Sequence, residues 1–370
     1  MKVLALIEAP EHVCYRYRIE AFAWAMAERG LYLEAVPLRR GLGRLRTLWG
    51  TRRADVVVLQ RKLLPLGQLI LLRRRARRLV YDFDDALWQR DSYSPKGPES
   101  WSRAGRFWAT VYAADSVIAG NGYLAGAARA YAPPERVYVV PTCIDPGRYR
   151  PAEHVRRGAA ARLVWIGQGS TLPSLRAAGA PLTAAAERVP GLGLRLICDR
   201  SIELGPLRVE PRPWSTATEA DDLAGADIGV SWLPDDTWSP GKCGLRVLQF
   251  MAAGLPVVAN PVGMNRRMVI DGETGFLAES PRQWADAIDR LAADLGLRRR
   301  MGAAGRRLVE EHYSAARWGP KLAAILECGD SSPLSAASSS AASSSRPPLH
   351  ETVARIAQSV RFTAPATKRR

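Results

Sequence analysis

Short apolar segments alternate with stretches of helical periodicity along most of the chain, and this alternation restricts the fold more than any other feature. Apolar runs rich in Val, Leu and Ile are typical of buried parallel strands, which amphipathic helices cover on both faces. The pattern therefore predicts an α/β fold with parallel sheets. The predicted strands are 2–7, 31–36, 55–59, 78–82, 115–119, 137–140, 162–167, 192–199, 207–211, 226–233 and 255–260, and the predicted helices of the first half are 15–29, 64–77, 99–113 and 122–131.

The alternation breaks off once near residue 155 and then restarts, which favours two domains. A chain of 370 residues also suits two cores of ordinary size better than one. We predict a first domain at 1–155 and a second at 156–327. After these the composition changes to mostly Ser and Ala, so 328–370 is predicted to be a mostly disordered tail.

The basic residues are concentrated in the first half of the chain. The net charge is +17, and residues 39–78 contain thirteen Arg or Lys against one acid. Such an excess favours a polyanionic partner, and the apolar run at 63–72 beside it favours an anionic membrane surface. The alternative is an arginine-rich face that is merely solvated. Because basic and aromatic residues do not interleave and no helix-turn-helix pattern is present, no nucleic-acid partner is expected.

The cysteines and the apolar runs predict a cytoplasmic location. The basic residues add the prediction of peripheral contact with the inner membrane face. Five cysteines without a CxxC pair favour neither a disulfide framework nor a zinc site. No signal peptide and no membrane span is predicted, because the apolar runs are too short.

Residues 239–263 combine a turn, a helical stretch and an apolar strand in a way that favours an anion site. On a helix beginning after the Pro-Gly turn at 240–241, Lys242, Arg246 and Gln249 would fall within about 60° of one another. The helix N-terminus and the two cations would bind a phosphate, and Gln249 would bind a ribose or sugar hydroxyl. The alternative is a solvated helix face that carries two basic residues.

The same segment resembles the donor site of the family-4 retaining glycosyltransferases, whose second domain has the pattern EGFGLxLLEAMAxGxPVV. Residues 249–259, QFMAAGLPVVA, match its second half, and Gly241 and Gln249 stand where the family has its two glutamates. A variant of the pattern, GKCxLK followed by Gln, is more similar to this chain. Further similar segments are DGETGFL at 271–277, SVIAGNGYLA at 116–125, VYVVPTCID at 137–145 and YSAARWGPKLAAIL at 313–326.

The resemblance implies the GT-B fold, in which two Rossmann-like domains face a cleft and a C-terminal helix crosses back to the first domain. It also implies a nucleoside-diphosphate sugar as donor substrate, without a cofactor or an essential metal. In that family a glycine-rich turn after the first strand of the second domain also touches the diphosphate. The implied donor-binding residues are Gly167, Gln168, Gly169, Ser170, Asp199, Trp214, Gly241, Lys242, Cys243, Gly244, Leu245, Arg246 and Gln249.

Two of these assignments have less support than the others. The turn at 167–170 is also what an ordinary strand-to-helix connection needs, with Ser170 or Thr171 as the helix N-cap. Asp199 and Trp214 are placed near the nucleoside only because Asp199 ends a predicted strand and Trp214 follows the next one.

Three carboxylates, Asp82, Asp84 and Asp85, follow or end the predicted strand at 78–82, where ligands gather in open α/β sheets. As a DxD motif, Asp82 and Asp84 would bind a divalent metal, as in the single-domain glycosyltransferases. As part of an interdomain cleft, Asp84 or Asp85 would act in proton transfer or charge stabilisation at the acceptor. The third interpretation is that the acids cap a helix or pair with nearby arginines.

The first strand is followed by EAPEHVCYRYR at 8–18, which brings basic residues to the same edge of the sheet. We predict that Arg16 and Arg18 lie on the acceptor or membrane side. His12 would face the cleft with them or be an ordinary surface histidine.

The resemblance thus implies a retaining glycosyltransferase of polysaccharide or glycolipid biosynthesis that acts on a saccharide or lipid-linked acceptor. One alternative is a sugar-nucleotide 2-epimerase of the same fold, which would supply several histidines and acids in the second domain. The other is a non-catalytic basic protein that binds membranes or nucleic acid.

Overall fold

The computed structural model describes residues 1–39, 41–156 and 161–328, and these form two parallel six-stranded sheets. In the first sheet the strand order is β2-β1-β3-β4-β5-β6, and in the second it is β12-β11-β10-β7-β8-β9. The strands are β1 Lys2–Ile7, β2 Tyr32–Pro37, β3 Val56–Gln60, β4 Arg78–Phe83, β5 Ser116–Ala119, β6 Val137–Val139, β7 Arg162–Ile166, β8 Gly193–Ile197, β9 Arg208–Arg212, β10 Ile228–Ser231, β11 Val257–Ala259 and β12 Gly275–Leu277.

Helices join the strands and cover the sheets. They are α1 Val13–Arg18, α2 Ala23–Glu28, α3 Leu42–Gly50, α4 Leu66–Arg75, α5 Trp101–Ala113, α6 Gly122–Arg129, α7 Leu172–Ala177, α8 Gly179–Arg188, α9 Glu219–Ala224, α10 Leu245–Ala252, α11 Met264–Met268, α12 Pro281–Ala293, α13 Leu295–His312 and α14 Ala315–Glu327.

The predicted strands are confirmed, with ends that differ by a few residues. Helix ranges were predicted for the first half of the chain, where two helices differ, and in the second half one strand was missed. The helix expected at 15–29 is divided into α1 and α2 by a short 3-10 turn at Glu20–Phe22, while α3 and β12 were not predicted. Helix α3 has only nine residues, of which two are glycines, and β12 has only three residues, so neither carries a strong local signal.

The central strands are buried on both faces, as parallel sheets covered by helices must be. All five residues of β3 are buried, and its side chains enter two different apolar clusters, one on each face of the sheet. The apolar runs that identify the strands in the sequence are a direct consequence of this double burial.

The last described helix, α14, packs against the first sheet rather than the second. Leu322 and Leu326 are buried in a cluster with Val3 and Ile7 of β1. In addition, the guanidinium of Arg78 donates to the carbonyls of Ile325 and Leu326 at 2.6 and 2.7 Å. The chain therefore crosses back to its first half, as the GT-B arrangement requires.

The predicted domain boundary at residue 155 falls in residues 151–156, a segment with neither helix nor strand. The division into domains at 1–155 and 156–327 stays a prediction. Of the predicted tail, residues 329–370 lie outside the described part of the chain. Among the helices of the described ranges, none combines the length and the apolar character needed to cross a membrane.

Candidate functional site

A cavity of about 520 Å³ lies between the two sheets and is lined by residues of both halves of the chain. Its volume is within the usual range for a small-molecule site. The first half contributes Arg61, which directly follows β3, and Asp84, which directly follows β4. The second half contributes Gln168 after β7 and the beginning of α10. The cavity therefore opens at the carboxyl ends of the strands, where open α/β sheets bind ligands.

The segment before α10 differs from the predicted helix. A 3-10 turn at Ser239–Gly241 is followed by Lys242 in an extended conformation (φ −69°, ψ 142°) and by Gly244 in the left-handed region (φ +70°). Lys242 therefore precedes the helix, and the prediction that it shares a helical face with Arg246 and Gln249 is wrong. The physical reason is Gly244: its left-handed backbone cannot continue a helix, so α10 begins only at Leu245.

The loop containing Lys242 is held against the first half of the chain. The side-chain amide of Asn121 donates to the carbonyls of Pro240 and Lys242, both at 3.1 Å. The ammonium of Lys242 lies 3.1 Å from Oδ1 of Asp85. At Gly241, an added Cβ would lie 2.8 Å from the Cβ of Ala86, so this close approach of the two halves requires glycine.

Arg246 is a cation without a carboxylate partner in the described ranges. Its Nε donates to the carbonyl of Ile166 at 2.6 Å, and its guanidinium lies 4.3 Å from the ring centroid of Trp165. Burial lowers the pKa of Arg246 to about 10. Because the side chain lines the cavity, its unpaired positive charge faces whatever occupies that space. This arrangement suits an anionic ligand.

The three carboxylates after β4 occupy different environments. Asp82 is buried and ion-paired with Arg18, whereas Asp84 and Asp85 line the cavity and are both paired with Arg61. Burial acts to raise the pKa of Asp84, but the charges of Arg61 and Arg18 outweigh it, and the net effect is a lowered pKa. Pairing with arginines, as in the third interpretation, is thus observed, and Asp84 and Asp85 also face the cavity as the second interpretation requires.

The predicted place of Arg18 on the acceptor or membrane side is corrected by this geometry. Its side chain is only 1% exposed, and besides Asp82 it donates to the carbonyl of Val140 at 2.7 Å. A buried guanidinium needs such partners, and α1 turns Arg18 toward β4 to reach them. Arg18 therefore has no surface to offer an acceptor or a lipid.

Arg16, Trp214 and Gln249 lie in a polar cluster that joins the two halves, not in the cavity lining. The cluster centres on Glu219 of α9, which is 2% exposed and accepts from Arg16 at 3.4 Å and from the indole of Trp214 at 2.7 Å. Glu219 also accepts from Tyr17 at 2.9 Å, and Gln249 contacts the same Tyr17 hydroxyl at 3.3 Å. The placements of these three residues at the donor or the acceptor are corrected, because Arg16 and Trp214 donate to the buried Glu219, Gln249 donates to Tyr17, and none of them lines the cavity.

The glycine-rich turn after β7 is only partly within the cavity. Gln168 and Ser170 line it, whereas Gly167 and Gly169 are not part of its lining. The N–H of Gly169 donates to Asp199 at 2.6 Å, and this bond lowers the pKa of the Asp199 carboxyl. Asp199 therefore supports the turn from outside. Thr171 is the N-cap residue of α7, as the interpretation of an ordinary strand-to-helix connection expects, although its side chain makes no capping hydrogen bond there. Gln168 is the N-cap of the preceding 3-10 turn at Gly169–Thr171.

Four further residues of the predicted donor segment, Lys242 to Leu245, line the cavity with Arg246, while Gly241 lies behind them. His12 also lines it and accepts from the N–H of Cys14 at 3.2 Å as the N-cap of α1. Burial and the charge of Arg61 lower the pKa of His12. The lining residues that sequence reasoning missed include Arg61, Asp91, Tyr93, Arg103, Ser174 and Asn265.

Residues 236–308, which contain Lys242, Arg246 and α10, match the family described as Glycosyl transferases group 1. This region is a glycosyl transferases group 1 domain. The D-inositol 3-phosphate glycosyltransferase of Actinosynnema mirum is 33% identical over 197 residues, which is 45% of this chain and 46% of that protein. The enzyme of the same name from Paenarthrobacter aurescens is 40% identical over 86 residues, 23% of this chain and 20% of its own. The matches thus span less than half the length of these curated relatives.

Solved structures show that the fold is GT-B. The structure of Anabaena HepE in complex with UDP and glucose superposes with a TM-score of 0.67 at 16% identity, and covers 88% of this chain and 99% of that one. Sucrose-phosphate synthase from Thermosynechococcus elongatus gives a TM-score of 0.68 at 16% identity, with 88% and 98% coverage. At these identities the likeness concerns the fold alone.

Proposed function

We propose that this protein is a glycosyltransferase that moves a sugar from a nucleoside-diphosphate sugar to an acceptor hydroxyl. The observation that carries the proposal is the unpaired guanidinium of Arg246, which faces a cavity between two Rossmann-like halves. The group 1 match over residues 236–308 supports it. The HepE structure also supports it, because it has the same fold and is a complex with UDP and glucose. UDP is therefore the first nucleotide to test.

In this proposal the second half of the chain binds the leaving group. The bond between the anomeric carbon and the diphosphate oxygen breaks while the acceptor oxygen bonds to that carbon. Arg246 and Lys242 lie where they would stabilise the negative charge that grows on the diphosphate, which is commonly the largest electrostatic contribution to such a reaction. Retention of configuration is part of the proposal because it follows the family that the chain resembles.

The first half of the chain supplies the acceptor side. Asp84 and Asp85 line the cavity opposite α10, and Arg61 pairs with both of them. We propose that Asp84 or Asp85 accepts the proton that leaves the acceptor hydroxyl, or that the two carboxylates stabilise the positive charge at the anomeric carbon. Lys242 also bonds to Asp85, so binding of a diphosphate by Lys242 would change the charge around that carboxylate.

A cytoplasmic site of action at the inner membrane face, in polysaccharide or glycolipid synthesis, completes the proposal. On α3, Leu42, Leu45 and Trp49 are exposed, and the guanidinium of Arg75 lies 3.3 Å from the centroid of the Trp49 ring. Exposed apolar side chains beside arginines suit an anionic lipid surface. Co-sedimentation with vesicles tests this, because equal binding to neutral and anionic vesicles contradicts it.

The transfer reaction itself is tested with the full chain, UDP, GDP and ADP sugars and a panel of hydroxyl acceptors. Release of the nucleoside diphosphate and the anomeric configuration of the product are followed by NMR. We expect one donor class to react, and Lys242→Ala to slow the reaction at least tenfold. Arg282→Ala, at a side chain that is 92% exposed, is the matched control and should behave as the parent protein. An equally active Lys242→Ala variant would contradict the assignment.

A further inference from the structure

The two cations assigned to the donor are held in place by different halves of the chain. Arg246 donates to the carbonyl of Ile166 and stacks on Trp165, and both of these residues belong to β7 of the second half. Lys242 is held from the first half, because its carbonyl accepts from the side-chain amide of Asn121 at 3.1 Å. The position of Lys242 therefore depends on the contact between the halves.

Asn121 follows β5 at the carboxyl edge of the first sheet and is only 5% exposed. Its Oδ1 accepts from the N–H of Leu124 at 2.9 Å, as the N-cap of α6. Its Nδ2 donates to the carbonyls of Pro240 and Lys242, both at 3.1 Å. Because the cap needs the amide oxygen on the side of α6, both N–H groups are directed at the loop of the second half. One buried side chain thus joins α6 to both sides of Gly241.

The backbone around this contact is packed closely enough to define one position for the loop. A Cβ added at Gly120 would overlap the Sγ of Cys243, and one added at Gly241 would lie 2.8 Å from the Cβ of Ala86. Between these two points, Lys242 has an extended backbone (φ −69°, ψ 142°). The first half therefore determines where the Lys242 side chain enters the cavity.

We infer that Asn121 is a positioning residue for the donor: it holds Lys242 where its ammonium meets the diphosphate, so the first half of the chain sets the affinity of the donor site. This inference rests on the proposed glycosyltransferase activity. Without the two bonds from Asn121 the loop gains conformational freedom, and ligand binding must then order it at a cost in free energy. Arg246 keeps its anchors on β7 in either case. The effect of Asn121 on binding should therefore require Lys242.

The inference is tested by calorimetric titration of the full chain with UDP. Asn121→Ser keeps an oxygen that caps α6 but loses both donations to the loop, and we expect UDP to bind about tenfold more weakly. Asn121→Asp, which keeps the shape and the capping oxygen but exchanges the donating nitrogen for an acceptor, should give the same result. Tyr123→Phe is the control, because it removes another bond between the halves, from the Tyr123 hydroxyl to the carbonyl of Thr237 at 3.1 Å. Its affinity should stay within about threefold of the parent protein.

A double-mutant comparison distinguishes positioning of Lys242 from a general loosening of the fold. In the Lys242→Ala background, Asn121→Ser should weaken UDP binding by less than about threefold, because the side chain that it positions is gone. In the Arg246→Met background it should keep its full effect of about tenfold. Urea unfolding of the same preparations shows that each variant is folded during the titration.

The outcomes separate the inference from the function on which it rests. Binding of UDP to both Asn121 variants with the parent affinity would overturn the inference and leave the donor site in place. An equal loss with and without Lys242, or a loss of the same size in Tyr123→Phe, would also overturn it, because any weaker contact between the halves would then suffice. Absence of UDP, GDP and ADP binding in the parent protein would refute the proposed function itself.

Discussion

Replacing Arg246 with methionine distinguishes a role of this residue in donor binding from a role in fold stability. Methionine keeps the length and apolar contacts of the arginine stem but removes the charge. Burial lowers the pKa of Arg246 to about 10, and at about 1.4 kcal/mol per pKa unit the difference from an exposed guanidinium corresponds to roughly 3 kcal/mol. Because part of the side chain remains in contact with solvent, screening reduces the cost of the charge to about 2 kcal/mol.

The substitution also removes favourable contacts. The bond from Nε to the carbonyl of Ile166 and the stacking on Trp165 together contribute about 2 kcal/mol. The two effects nearly cancel, so the free energy of unfolding without ligand should change by less than about 1 kcal/mol. Binding of a nucleoside diphosphate loses a charge-assisted contact and should weaken by about 2 kcal/mol, or roughly thirtyfold.

The two quantities are measured on the same preparations, unfolding by urea and binding by calorimetry with UDP, GDP and ADP. An affinity within about threefold of the parent protein would refute the assignment of Arg246 to the diphosphate. Destabilisation by about 3 kcal/mol would instead show that the arginine is a structural group and that its charge is satisfied within the fold.

Three further predictions concern the contact between the halves and the carboxylates. Gly241→Ala places a Cβ 2.8 Å from that of Ala86, and should weaken UDP binding by about 1–3 kcal/mol in calorimetry; unchanged binding would contradict this. Glu219→Gln leaves its buried arginine partner without a counterion and should lower the free energy of unfolding by about 2–3 kcal/mol, whereas Asp221→Asn, at an exposed ion pair, should cost under about 1 kcal/mol. Since the pKa of Asp84 is lowered by folding, its stabilisation is complete above pH 5 or so and is lost as the pH falls below 3.8. The difference in urea unfolding between the parent protein and Asp84→Asn should therefore shrink from pH 6 to pH 3, and a constant difference would count against the ion pair.

The sheets were predictable because their strands are buried on both faces and so appear in the sequence as continuous apolar runs. Helix α10 was predictable for a related reason, since all its residues from 247 to 252 are buried and most of them are apolar. Its first turn was not predicted correctly. Gly244 has a left-handed backbone, so the helix begins only after it. A glycine permits this conformation but also permits a helical one, so its presence in the sequence does not predict which is adopted.

The composition of the cavity was predicted less completely than the fold. Lys242 and Arg246 stood out because they are close in the chain. Arg61 and Arg103 come from two other elements, and only the stacking of β3 beside β4 and the packing of α5 bring them to the same space. Arg61 did carry a usable signal, because it directly follows a buried strand, at the edge where ligands bind.

The cluster around Glu219 had no comparable signal in the sequence. Its bonded members lie up to 232 residues apart, as in the pair Tyr17 and Gln249, and each is an ordinary polar residue in its own segment. The buried Glu219 accepts from Trp214 within the second half, whereas Gln249 reaches Tyr17 of the first half. Long-range burial of this kind follows from the assembled fold and not from local spacing.

The central claim is that the cavity binds a nucleoside diphosphate through Lys242 and Arg246. Its most direct test is a calorimetric titration of the full chain with UDP, GDP and ADP, repeated with Lys242→Ala and with the Arg282→Ala control. We expect one nucleotide to bind to the parent protein and the control with equal affinity, and to Lys242→Ala at least tenfold more weakly. No binding of any nucleotide, or equal binding to Lys242→Ala, would contradict the claim.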